Sequence, residues 1–137
     1  MNEKIYYPAG PSSELSNDRV PKRDIGGGIL LQVIGDGEQL NAVHWNLPDG
    51  SIVPRHSHPQ EQFGYVIKGA FEATFFGHGQ FIIKEGDSYV IPSNVEHEFK
   101  AIGDTEAIDV FTPPRDLSTL GAVVNNRRHS RACRTRK

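Results

Sequence analysis

The chain has 137 residues, 36% hydrophobic and 9% aromatic, enough for one core and too few for two ordinary domains. No run of about 18 apolar residues is present to make a spanning helix, and Met1-Asn2-Glu3-Lys4-Ile5 lacks the charged-then-apolar layout of a secretory signal. The net charge of −2 hides an asymmetry: six basic side chains (Arg127, Arg128, Arg131, Arg134, Arg136, Lys137) crowd the last eleven residues with no acid among them, leaving nine basic against seventeen acidic residues elsewhere.

Such a tail without interleaved aromatics or a nucleic-acid-binding motif reads as a solvated terminus, and no nucleic-acid or membrane partner is expected. A lone cysteine, Cys133, cannot pair internally, so a reducing, cytoplasmic setting is the expectation. Fourteen glycines and nine prolines favour short strands and frequent turns over helices.

In chain order, residues 1–28 hold Pro8, Pro11 and Pro21, end in Gly26-Gly27-Gly28 and show no periodicity; an extended arm is expected. The domain proper is expected over 29–117. Its first strand is the apolar run Ile29–Ile34, followed by a turn at Gly35-Asp36-Gly37. Leu40–Leu47 alternates, with Val43, Trp45 and Leu47 on one face and Ala42, His44 and Asn46 on the other. After the turn Pro48-Asp49-Gly50, strands are predicted at Ile52–His58, Gln62–Lys68 and Phe71–Phe76, the last two parted at Gly69. Phe81–Lys84, Ser88–Ile91, Glu96–Ile102 and Ala107–Thr112 complete the set, and Pro113-Pro114 ends the sheet. Residues 118–137 form a C-terminal segment with the basic tail. This all-β spacing suggests a sandwich or barrel.

The chemistry gathers in the middle. His56 and His58, at i and i+2 of a predicted strand, share a face and can reach one metal ion. Parity extends to Gln62 and puts Glu61 on the opposite face, although Pro59 can break the count. His97, at the head of a later strand, can close the site. His44, His78 and His129 read as surface or satisfied core histidines.

The spacing Gly50-x5-His56-x-His58-x3-Gln62-x6-Gly69 resembles the first motif of the cupins, with Gln62 where Glu is usual. Gly86-x5-Pro92-x-Asn94-x2-His97 resembles the second, with Asn94 in place of its usual Gly. The resemblance implies an all-β, single-domain cupin, a double-stranded β-helix or jelly-roll barrel, with one divalent transition metal held by His56, His58, Gln62 and His97. Zinc, nickel, manganese and iron all suit such ligands, and calcium does not. Three neutral imidazoles and an amide leave the ion its full charge, which favours an anionic, oxygen-rich ligand.

A second group follows in Asp109-Val-Phe111-Thr-Pro-Pro-Arg115. A carboxylate can move protons, an aromatic ring can face a sugar, and arginine can clamp a carboxylate. On residue types alone, an ordinary core Phe111 and a surface Asp109–Arg115 ion pair are the favoured reading. Together with Gln62 the stretch is similar to the KdgF-type cupins of pectin and alginate breakdown. That resemblance implies conversion of cyclic 4,5-unsaturated uronates to linear keto sugars, with Asp109, Phe111 and Arg115 as catalytic or substrate-contacting residues. It also implies a small anionic sugar-like substrate and a homodimer. Two other readings stand beside it: another metal cupin enzyme, such as an oxygenase or isomerase, and a non-catalytic sugar- or metal-binding cupin.

Overall fold

The structure, a computed structural model, describes residues 21–118. Eight strands make up most of it: β1 Arg23–Asp24, β2 Leu30–Asp36, β3 Asn41–Leu47, β4 Ile52–His56, β5 Glu61–Phe75, β6 Gly79–Lys84, β7 Ser88–Ile91 and β8 His97–Thr112. Every pairing is antiparallel. Among the described residues, no helix is long and apolar enough to cross a membrane.

Two strands expected as separate pairs are single and long. β5 runs through Gly69, and β8 joins the segments predicted at 96–102 and 107–112. The reason is a bend, not a turn. Gly69 and Gly103 have φ of 84° and 74°, in the left-handed region glycine enters freely, and the β5–β8 register shifts around Lys68. Each long strand therefore runs through both limbs of one folded, eight-stranded sheet. Their outer limbs, Glu61–Val66 and Glu106–Thr112, pair with each other and with β7 and β3; β3 carries β2, and β2 carries β1. The other limbs, Ala70–Phe75 and His97–Ile102, pair with each other and with β6 and β4.

The core lies between these layers. β3 turns Val43, Trp45 and Leu47 inward as its alternation predicts, and Phe71, Phe99, Ala101 and Ile91 meet them. Phe71 and Phe99 pack edge to face at 4.9 Å. Arg23–Asp24, within the stretch expected as an arm, pairs with β2, and Ile25 beside it is fully buried. Residues 1–20 and 119–137, with His129, Cys133 and the basic tail, lie outside the described residues.

Because both long strands fold over, their ends meet. Gln62 near the start of β5 pairs with Phe111 near the end of β8, while Phe75 at the end of β5 pairs with His97 at the start of β8. The bends pack together at the far side. A Cβ on Gly69 would come within 2.5 Å of the Asp104 carbonyl oxygen.

Candidate active site

Four of the predicted residues converge where the strand ends meet. His56 closes β4 and pairs with His97, which opens β8. His58 is not on a strand as expected: β4 stops at His56, because Pro59 and the turn behind it break the ladder. The loop still delivers it. Asn94 N–H donates to the His58 carbonyl at 2.9 Å, and Asn94 has φ 64°. That conformation explains both the usual glycine there and the tolerance of asparagine. Imidazole centroids lie 4.3 Å (His56–His97), 5.1 Å (His58–His97) and 5.5 Å (His56–His58) apart.

The backbone sets the tautomers. Nδ1 of His56 lies 2.8 Å from the Pro54 carbonyl, Nδ1 of His97 2.8 Å from that of Val95, and Nδ1 of His58 3.0 Å from that of Gln60. A carbonyl only accepts, so each Nδ1 carries the proton and each Nε2 presents a lone pair. One ligand nitrogen from each ring falls within 4.8 Å of the others. Gln62 Oε1 sits 3.1 Å from His58 Nε2. With the proton on Nδ1 these two acceptors face each other, a poor contact unless a cation lies between them. The spacing suits neighbouring ligands that are each about 2.1 Å from one ion. The donor set thus fits a divalent metal.

Electrostatics point the same way. Burial, then the charges of Arg115 and His97, lowers His58 to about 3. Burial, aided by Arg115, takes His97 to about 4. His56 is driven well below 6.5 by burial, then by His97. All three are neutral at physiological pH, as ligands must be.

Asp109 and Phe111 point into the same cavity from β8, as their shared parity predicts, and both are buried. The Phe111 ring meets His58 edge-on at 5.6 Å. Asp109 is no partner in a surface ion pair: it accepts from Trp45 Nε1 at 2.8 Å, from Tyr89 Oη at 2.7 Å and from the Gln62 amide. Burial outweighs these donors and raises its pKa. Tyr89 is pushed well above 10 by burial and by Asp109, and so stays a donor.

Arg115 arrives from beyond the sheet. The Asn41 side chain clamps its backbone, donating to its carbonyl at 2.8 Å and accepting its N–H at 3.1 Å. Its guanidinium stands 5.2 Å from the Phe111 centroid. Burial lowers its pKa to about 10, which leaves it charged. Among the described residues no ion pair occupies it.

Trp45, Tyr89 and Asn41 escaped the sequence reading. The alternation of 40–47 marks Trp45 only as core, and nothing in the order of residues couples Tyr89 to Asp109. Of the histidines expected outside the site, His78 is exposed and His44 is buried, with Nε2 2.7 Å from Glu106.

Comparison with known proteins agrees with this fold. KdgF from Halomonas sp. superposes with a TM-score of 0.72 at 31% identity, over 77% of this chain and 99% of that one. Among curated proteins, the chain is 35% identical over 77 residues to "Polyketide synthase CurC" of Streptomyces cyaneus, covering 54% of this chain and 49% of CurC. It is 38% identical over 63 residues to "Protein SchB" of Streptomyces halstedii, covering 45% of each. The matches thus span about half the length of these two relatives. The cupin domain family matches residues 43–111, the stretch that carries every candidate ligand and Asp109. With its ligand spacing, folded-over strands and likeness to KdgF, the chain belongs to the cupin family.

Proposed function

We propose that this protein opens the ring of cyclic 4,5-unsaturated uronates, as its resemblance to the KdgF-type cupins implies. The observation that carries the reading is the convergence of Asp109 and Arg115 on the three-histidine cavity without an ion pair between them. Arg115 is then available to hold the substrate carboxylate in a bidentate grip. Phe111 walls the cavity beneath it. A divalent ion held by His56, His58, His97 and Gln62 Oε1 would supply Lewis-acid polarisation of sugar oxygens. Asp109 takes the proton of the anomeric hydroxyl as the bond from C1 to the ring oxygen breaks. It returns that proton to C4 as the ring oxygen becomes the C5 ketone. The product is an isomer, so no oxidant or reductant is needed.

The test is loss of ultraviolet absorbance from unsaturated galacturonate freshly released by a lyase, with metal-loaded and chelated protein. Asp109→Ala should lower turnover about 100-fold or more with metal content intact, and Arg115→Ala should abolish saturation by the uronate. Wild-type turnover in Asp109→Ala overturns the role.

A second reading, ring closure of a polyketide chain, draws on different support. The cavity wall is strongly aromatic, with Trp45, Phe71, Phe99 and Phe111, and a curated relative is named a polyketide synthase. Metal-loaded protein that leaves the uronate untouched but alters the products of a polyketide synthase would favour it.

A further inference from the structure

We propose that Tyr89 is a positioning residue for Asp109, admitted to the cavity because residue 64 has no side chain. The inference rests on the proton-transfer role given to Asp109 above. Tyr89, Gly64 and Asp109 stand in one line across β7, β5 and β8, each the direct register partner of the next. In such a line neighbouring Cβ atoms lie about 5 Å apart on the same face, so a side chain on the middle strand would separate the outer two. At Gly64 the tyrosine ring occupies that place. A Cβ there would lie 2.0 Å from Tyr89 Cζ, 2.2 Å from Oη and 2.3 Å from Cε1.

Through this gap the Tyr89 hydroxyl donates to Asp109 Oδ1 at 2.7 Å, while Trp45 Nε1 donates to Oδ2 at 2.8 Å. One donor on each oxygen fixes both the position and the plane of the carboxylate. The tyrosine ring is located independently of its hydroxyl, because it packs on Phe99 at 5.2 Å. Removing the oxygen alone should therefore release Asp109 Oδ1 without emptying the cavity wall.

The experiment compares wild type, Tyr89→Phe and Gly64→Ala as metal-loaded full chains. Steady-state kinetics on unsaturated galacturonate are combined with metal content and the indole N–H proton resonance of Trp45, the only tryptophan in the chain. Tyr89→Phe should lower kcat about 10- to 100-fold, the effect of deleting a hydrogen bond to a charged group. KM and metal content should stay within about twofold of wild type on the same grounds, and the indole resonance should move. Gly64→Ala expels the ring and should show the same loss, with the double variant no worse than either single one. If Gly64→Ala fails to fold, Tyr89→Phe alone decides.

Wild-type kcat with an unmoved resonance overturns the proposal. So does a lowered kcat with an unmoved resonance, which would place Tyr89 on the substrate instead. If the wild-type chain leaves the uronate unchanged, the functional reading fails; the resonance in Tyr89→Phe still decides whether Tyr89 positions Asp109.

Discussion

Gln62 shows how one atom changes a site. Its carbonyl oxygen faces His58 Nε2 and its amide donates to Asp109. A glutamate has no proton to donate at neutral pH, so at this position it would set two carboxylates against each other. The amide lets a candidate metal ligand and a buried acid share a wall. The histidines beside it carry a pH signature. At pH 7 they are neutral whether the chain is folded or unfolded. Below about 6.5 the unfolded chain binds protons that the folded metal-free protein refuses until about 4 at His97 and about 3 at His58. Folded-state values below the unfolded ones mean stability is fully present above 6.5 and lost as pH falls. Urea denaturation of metal-free protein should give a lower midpoint at pH 5 than at pH 7. Replacing His58 and His97 with glutamine should weaken that dependence and leave the share of His56.

At the level of elements, the bends in β5 and β8 decide where the site is. Both bend glycines have positive φ, but their surroundings differ. Around Gly103 a Cβ meets open space, whereas at Gly69 it would press on Asp104 and Thr105. Gly103→Ala should cost about 1 kcal/mol and Gly69→Ala about 3 kcal/mol or more, since the second adds a backbone clash to the same dihedral penalty. Chemical denaturation of the two variants side by side checks the order. These bends also mark what the sequence could convey. His56 and His58 could be paired from their spacing alone, whereas Gln62 and His97 were fixed in the candidate set through the resemblance of their motifs. A glycine bend and a glycine turn look alike until the strand on either side finds its partners. Trp45 and Tyr89 gain their roles from cross-strand register, which no local pattern records. Asn41 acts on Arg115 from 74 residues away.

Over the described residues, the candidate ligands come from β4, the following loop, β5 and β8, so a bound ion would tie the two limbs of the folded sheet together. An ion bound there and not by the unfolded chain should stabilise the fold by about 2.7 kcal/mol at a hundredfold excess over its Kd. Thermal unfolding with added zinc and with chelator measures the increment, and His97→Ala should erase it. An unchanged midpoint in wild type would show that the cavity holds no zinc in the folded state.

The folding-over of β8 also fixes a chronology. His56, His58 and Gln62 lie within seven residues, but His97 follows thirty-five residues after Gln62 and reaches them only once β8 has docked along β4 and β5. Closing that long loop comes before any reward from the ion. On a ribosome, the first three candidate ligands emerge as an incomplete chelate that would have little power to retain a metal. An ion taken up there would therefore bind at the end of barrel assembly, and would select finished molecules instead of nucleating them.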